Sequence, residues 1–297
     1  MSAQVAVVVV THDSAQELPR SLGSLADCAL PLEVVVFDNA SRDGSADVAR
    51  RLRPGARVIE CPDNLGFGAA NNRAFAESTA SLLLLLNPDA ELRTGALEAL
   101  ATALALRPEL AAVGPVTRNT DGSLQLSFGE DLTLASEWRR RRLERACRAG
   151  APWALAEAER RAASEAEPFW ISGSCLLARR EALAQVGGFD EAFFLYEEDV
   201  DLCARLRAAG WRIGFRPEAE VVHHRGRSVG RVPARASLEY HRSHLLYYRK
   251  HRGPLERLAL RAWLATRALL LWSRAALSGN PDGRRQQAAL LGLAVRG

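Results

Sequence analysis

The sequence predicts an α/β fold: a doubly wound, mostly parallel sheet followed by a helical C-terminal extension. Three observations carry this expectation. Four short apolar runs in the first ninety residues alternate with helix-like stretches, the pattern of parallel strands joined by crossover helices. One of them, the five leucines at 82–86, is too short to cross a bilayer but suits a strand buried on both faces. The third is a change in charge near the C-terminus. From Arg225 to Gly297 there are fifteen basic residues against Glu239, Glu256 and Asp282, a net +12 within a chain of +4, so the first 224 residues carry −8.

The elements follow in order. Residues 5–10 form the first strand, and without a preceding basic segment or cleavage site they do not read as a signal peptide. Residues 15–26 form a helix and 34–37 the second strand. A turn at Asp43-Gly44 leads into a helix at 45–52, and 57–60 is the third strand. A helix at 67–78 precedes the leucine strand. The Ala- and Leu-rich stretch 95–106 is a helix stopped near Pro108, 113–116 a strand, and Asp121-Gly122 a hairpin turn. Residues 132–166, rich in Arg, Ala and Glu, read as a helical insertion, either solvated or a flap facing a membrane or an acceptor. Strand character resumes at 170–178, and 180–186 is a short helix closed by Gly187-Gly188.

Residues 255–277 are apolar but broken by Arg257, Arg261, Arg267 and Arg274. At 100° per residue these arginines fall within a sector of roughly 140°, leaving a broad apolar face. Such a helix either lies in a membrane interface or packs on the main domain, since four arginines make spanning costly. The organisation expected is a domain at 1–235, with its insertion at 132–166, and a basic extension at 236–297. The five cysteines lack metal or disulfide spacing, which fits a reducing cytoplasm. The basic tail points to an anionic surface, most simply a membrane or a phosphate-bearing lipid, with no nucleic acid expected.

The strand ends carry the chemistry. The first ends at Thr11-His12-Asp13, the second at Asp38-Asn39, the third before Asp63-Asn64 and the fourth at Asn87-Pro88-Asp89. Open α/β sheets bind ligands in the crevice beyond their strand C-termini, and four polar endings line one rim as a nucleotide requires. Asp38 suits a base N–H or a ribose hydroxyl. The small-residue segment containing Asn64, Gly68 and Asn72 lets backbone approach a ligand at a helix start; close helix–sheet packing is the alternative. Neither a dinucleotide glycine fingerprint nor a P-loop follows the first strand. Asp89 either caps the next helix or holds a divalent cation bridging a diphosphate. Mg²⁺ and Mn²⁺ suit such a site, and His223 as a further ligand tilts the choice towards Mn²⁺.

A second cluster, Glu197, Glu198, Asp199 and Asp201, stands beside Phe193, Phe194 and Tyr196. Helix-dipole complementation explains one or two carboxylates in a first turn, but not four in five residues. Crowded carboxylates raise one another's pKa, which suits a general base.

These motifs in order resemble family-2 glycosyltransferases of the GT-A fold (Rossmann-like), in the bacterial rhamnosyltransferase-like branch. The resemblance rests on Val8 to Thr11, Asp38 to Ser45, Asn64 to Phe67, Leu86 to Asp89, Gly188 to Glu191, Tyr196 to Asp201 and His223 to Ser228. It implies that Thr11 and Asp38 contact the donor nucleoside, and that Asp89 ends a metal-binding Asp-x-Asp motif whose first position here is Asn87. It also implies that Asp199 is the catalytic base supported by Glu198, with Trp170, Ser172 and Gly173 bordering the acceptor. The expected function is inverting transfer of a sugar, with dTDP-rhamnose the branch's frequent donor. The expected acceptor is a glycan or polyprenyl-diphosphate-linked precursor of the cell envelope, met at the inner face of the membrane by a cytoplasmic, peripheral enzyme. A nucleotidyltransferase is the rival, but the loop after the first strand lacks the Gly and Arg it wants. A non-catalytic nucleotide-sugar or membrane-surface binding protein would not need the acidic cluster.

Overall fold

The computed structural model describes residues 5–224 and 233–296. Its strands are β1 (Val5–Thr11), β2 (Leu32–Asn39), β3 (Arg57–Cys61), β4 (Leu82–Leu86), β5 (Ala90–Leu92) and β6 (Leu110–Arg118). They continue with β7 (Leu124–Gln125), β8 (Phe128–Gly129), β9 (Trp170–Ile171), β10 (Cys175–Arg179) and β11 (Arg212–His223). The helices of the first half are α1 (Leu18–Gly23), α2 (Ser45–Leu52), α3 (Phe67–Ala76) and α4 (Ala96–Leu106). Beyond them lie α5 (Leu134–Arg148), α6 (Pro152–Ala162), α7 (Arg180–Gln185) and α8 (Glu198–Ala208). Three more close the chain: α9 (Pro233–His251), α10 (Pro254–Leu277) and α11 (Pro281–Arg296).

The main sheet runs β3-β2-β1-β4-β10-β6-β11-β5, with β7 paired to β6. β1, β2, β3, β4, β6 and β11 all point one way, and β5, β7 and β10 run against them. The sheet is therefore mostly parallel, as the alternating runs predict. Consecutive apolar residues work in β1 and β4 because both faces of these central strands are covered. Ala6, Val8, Val10, Leu83 and Leu85 face α3, α8 and the C-terminal helices, whereas Val5, Val7, Val9, Leu82, Leu84 and Leu86 face α1 and α4. Each buried Leu or Val contributes about 1.5–3 kcal/mol relative to exposure.

Three elements differ from the sequence expectation. The first helix is confined to Leu18–Gly23, entered through Pro19, because the preceding residues bond across to the β2 end: Ser14 N–H to Ser45 Oγ and Ala15 N–H to Asp43 Oδ2. The strand expected at 170–178 is two strands interrupted at 172–174, where the backbone turns aside. β11 carries no period that announces it, whereas α9 falls in the C-terminal stretch expected to be helical. Residues 225–228 of the last family motif lie outside the described residues.

The C-terminal helices extend the core rather than stand apart from it. Tyr247 and Tyr248 of α9 and Leu260, Leu264 and Ala268 of α10 join the cluster on the α3 and α8 side of the sheet. The opposite face of α10 leaves Trp263, Leu269, Leu270 and Trp272 exposed. Among the described residues no helix is long and apolar enough to cross a membrane.

Gly66 shows how tightly the rim loops are seated. Its φ is +85°, and a Cβ there would collide with the Phe194 carbonyl, which also accepts from Phe67 N–H at 2.9 Å. Gly66→Ala is expected to cost about 2–4 kcal/mol, read as a lower denaturation midpoint, because neither backbone can yield cheaply.

Candidate active site

The parallel strands deliver their C-terminal ends to one rim, and β10, running antiparallel, delivers its N-terminal end there too. Cys175 of β10 lies opposite Leu86 of β4, so the turn at 172–174 sits beside Asn87. Asn87 N–H donates to Ser174 O at 2.9 Å. At the other side of this turn Gly173 N–H donates to Asp199 Oδ2 at 2.8 Å. The Asn87–Asp89 loop and the start of α8 are thus tied together through three residues.

Asp199 lies one residue into α8, and Val200 N–H donates to its second oxygen, Oδ1, at 2.8 Å. It is enclosed by protein yet keeps part of its surface exposed. Burial and the carboxylates beside it push its pKa up to about 6, against the pull of those backbone N–H groups. Glu198 is buried, and its pKa stands well above the usual range because of that burial and the charge of Asp199. Only Asp199 has a backbone donor on each oxygen, so the single negative charge of the pair resides there at neutral pH.

The acidic cluster does not act as one group of four. Asp201 turns into the interior and meets Arg205 Nε at 2.7 Å, Lys250 Nζ at 2.6 Å and His251 Nε2 at 2.8 Å. Burial alone would raise its pKa, but these partners hold it down at about 2. Glu197 is taken by His244, whose Nδ1 lies 3.2 Å from Glu197 Oε1. The opposite nitrogen of His244 is 3.1 Å from Glu137 of α5, which also accepts from Tyr248 Oη at 2.8 Å. This buried bridge anchors the turn before α8, where Tyr196 and Glu197 hold φ of 70° and 65°. Asp13 and Ala40, the other non-glycine residues with positive φ among those described, follow β1 and β2 at the same rim. Strain of this kind gathers where surrounding structure fixes a functional geometry.

Asp89, almost fully buried, follows β4, and its Oδ1 lies 3.1 Å from His223 Nε2. Gln125 decides what this contact means. Its Nε2 donates to Asn119 Oδ1 at 2.7 Å and to His223 O at 2.9 Å, so its Oε1 accepts from His223 Nδ1 at 3.1 Å. His223 Nε2 and Asp89 Oδ1 thus stand within hydrogen-bond reach of each other, and an imidazole nitrogen held in place through its other nitrogen beside a carboxylate oxygen is a pairing that a divalent cation accepts. Among the described residues no cluster of three or more His, Cys, Asp or Glu could hold a metal. The pair fits an ion that brings its remaining ligands from a substrate diphosphate and water, as Mg²⁺ and Mn²⁺ commonly do.

The other expected donor residues divide. Thr11 Oγ1 and Asn87 Oδ1 are buried without a partner at the strand ends, and such orphaned oxygens fit ligand contacts. Asp38, also buried, accepts from Ser41 N–H at 2.7 Å. Asn64 shapes its own loop, accepting from Asn39 Nδ2 and Gly66 N–H at 3.0 Å each. Gly68 and Asn72 are both engaged in packing against Phe189. A Cβ at 68 would meet Phe189 Cβ at 3.0 Å, and Asn72 uses both ends of its amide on the Phe189 backbone at 2.9 Å. Of the residues expected to border an acceptor, Trp170 donates to Glu130 O at 3.0 Å, and Ser172 Oγ accepts from Ser174 N–H at 3.2 Å. A Cβ at Gly173 would press on the Phe67 ring at 3.1 Å and reach Asp199 Cβ at 3.4 Å. Gln125 and His244 were not foreseen, since each contacts residues far away in the chain.

A mostly parallel sheet whose rim gathers orphaned oxygens, a buried His–Asp pair and a buried carboxylate at a helix start fits one class: a glycosyltransferase of the GT-A fold. Residues 6–187 match the model of glycosyl transferase family 2, and 154–276 match glycosyl transferase family group 2. An N-acetylglucosaminyl-diphospho-decaprenol L-rhamnosyltransferase of Mycobacterium tuberculosis is 36% identical over 92% of this chain and 96% of its own length. The chain belongs to glycosyl transferase family 2, and it is a hexosyltransferase. The fold is shared with a mannosyltransferase from Pyrobaculum calidifontis, solved with GDP-Man and Mn²⁺, at a TM-score of 0.62 and 20% identity over 100% of this chain and 87% of that one. Staphylococcus aureus TarS residues 1–349 give 0.53 at 15% identity over 95% and 89%.

Proposed function

We propose that this enzyme transfers rhamnose, with inversion, from a nucleoside diphosphate to a hydroxyl of N-acetylglucosamine carried on a polyprenyl diphosphate. Likeness to the mycobacterial enzyme over nearly the whole of both chains supports the substrates. The observation that carries the chemistry is Asp199, a charged carboxylate fixed by two backbone N–H groups beside the acceptor turn.

In this reading Thr11 and Asp38 receive the nucleoside, and Asn87 a polar group of the donor. Asp89 and His223 hold Mg²⁺ or Mn²⁺, with Gln125 fixing the imidazole. A bound cation would neutralise charge developing on the departing diphosphate. Trp170, Ser172 and Gly173 border the acceptor. Asp199 takes the proton from the acceptor hydroxyl as it attacks the anomeric carbon, and each of its oxygens keeps a lone pair for that task. Protonated Glu198 leaves that charge unopposed by a second one. The domain at 1–235 supplies this chemistry, and the extension at 236–297 seats it peripherally on a membrane. Exposed Trp263, Leu269, Leu270 and Trp272 support that placement.

The test is nucleoside diphosphate release from a panel of sugar nucleotides, with a soluble short-chain prenyl-diphosphate acceptor. dTDP-rhamnose is expected to exceed every other donor by about tenfold or more, and a chelator to abolish turnover until Mg²⁺ or Mn²⁺ is restored. A different preferred donor, or release that ignores the acceptor, would overturn the assignment.

A further inference from the structure

A polar cavity lies away from the strand ends. It measures about 350 Å³ and is lined by Arg140, Arg141 and Glu144 of α5, Tyr240 and His241 of α9, and Arg267 of α10. No member comes from the loops carrying Asp38 or Asp89. Its charges are unbalanced. Arg141 is 3.1 Å from Glu137, and Arg140 is 3.6 Å from Glu144, but Arg267 has no carboxylate partner among the described residues. Glu137 is in turn shared with His244.

Hydrogen bonding is unbalanced as well. His241 is buried, and its Nε2 lies 3.4 Å from Arg267 Nη1, a group that only donates. Its pKa falls to about 4 through burial and the neighbouring cations, so the ring is neutral. The ring proton therefore sits on Nδ1, and that buried N–H has no partner. Arg140 Nε is likewise buried and unpartnered. Unmet donors beside surplus positive charge call for a group made of acceptor oxygens.

Two contacts link this cavity to the catalytic turn. The Arg140 guanidinium lies 5.6 Å from the Trp170 ring centre, three residues before Gly173. The Tyr240 ring meets Tyr196 edge-on at 5.9 Å, three residues before Asp199. On its outer side Arg141 and Arg267 flank the ring of Trp263, at 5.3 Å and 5.7 Å, on the helix whose far face is apolar and exposed. We propose that this cavity binds the diphosphate of the lipid-linked acceptor, placing the acceptor sugar towards Asp199 and the lipid along α10. The proposal deepens the function given above and rests on it.

Its test uses the full chain and two soluble acceptors with the same sugar, one a short-chain prenyl diphosphate, the other a neutral alkyl glycoside. Arg267→Gln and Arg140→Gln are each expected to lower the preference for the diphosphate acceptor, in kcat/KM, by about tenfold or more, with donor KM unchanged. Inorganic pyrophosphate, titrated calorimetrically without metal, is expected to bind the parent and to bind Arg267→Gln more weakly by a similar factor. Equal losses on both acceptors, or unaltered pyrophosphate binding, would overturn it. So would variants that lose affinity only for phosphatidylglycerol vesicles, since the arginines would then serve bulk headgroups. Parent turnover of either acceptor keeps the glycosyl-transfer reading intact whatever becomes of the cavity. If neither acceptor is turned over that reading fails, and the calorimetry still decides the anion site.

Discussion

Asp199→Asn is expected to lower kcat by about 10²–10⁴-fold, the range for loss of a positioned base, while donor KM stays within a small factor. The substitution removes the charge and one acceptor oxygen but nothing that touches the nucleotide rim. In the parent, kcat/KM should rise with pH through about 6 and then level, because Asp199 accepts a proton only when ionised. Below that point the rate should fall tenfold per pH unit, and Asp199→Asn should lose this limb. Turnover within tenfold of the parent would remove Asp199 from the mechanism. A uniform rise in donor KM would make its role structural.

His244→Leu is expected to cost about 3–5 kcal/mol of stability, since it removes the cation shared by two buried carboxylates, leaving Glu137 with Arg141 alone and Glu197 with no cation among the described residues. Burial lowers the pKa of this imidazole, but the two carboxylates outweigh it and carry it from 6.5 up to about 9. A cation with a raised folded pKa stabilises fully below its unfolded value and ceases to do so as pH rises through the folded one. The parent should therefore lose about 3 kcal/mol between roughly pH 6.5 and 9, read by denaturant midpoints, and His244→Leu should lack that slope. The variant should also lose kcat, because the strained Tyr196–Glu197 turn that sets α8 is released. A pH slope identical in parent and variant would show that the bridge does not carry this charge.

Both predictions touch residues that the sequence displayed unequally. Asp199 stood in an acidic run too dense for a helix cap, and the turn at 172–174 stood where a continuous strand was expected. That break is what lets Gly173 N–H reach the carboxylate. His244 lies in α9, whose inward face is written in Tyr240, His244, Tyr247 and His251 rather than leucines. Their spacing of about one and two helical turns was a face signal, but period-based reading looks for apolar residues. β11 stayed hidden for a related reason: Arg212, Arg216, Glu218 and Glu220 interrupt its apolar residues where it runs towards the rim.

The crowded carboxylates mark the boundary between the two kinds of information. Their number was plain, but their division was not: Asp201 to Arg205, Lys250 and His251, Glu197 to His244, Asp199 to Gly173 N–H. Likewise, the small residues after Asn64 announced a close approach without saying that Phe189 makes it.

By itself the sequence determined the strands buried on both faces, the polar ends of those strands and the family, because each is written in neighbouring residues. Tertiary structure alone decided which carboxylate is the base, which imidazole is a cation and where the surplus arginines converge. A proton's affinity depends on charges and burial within a few ångströms, and here those neighbours lie tens of residues away along the chain.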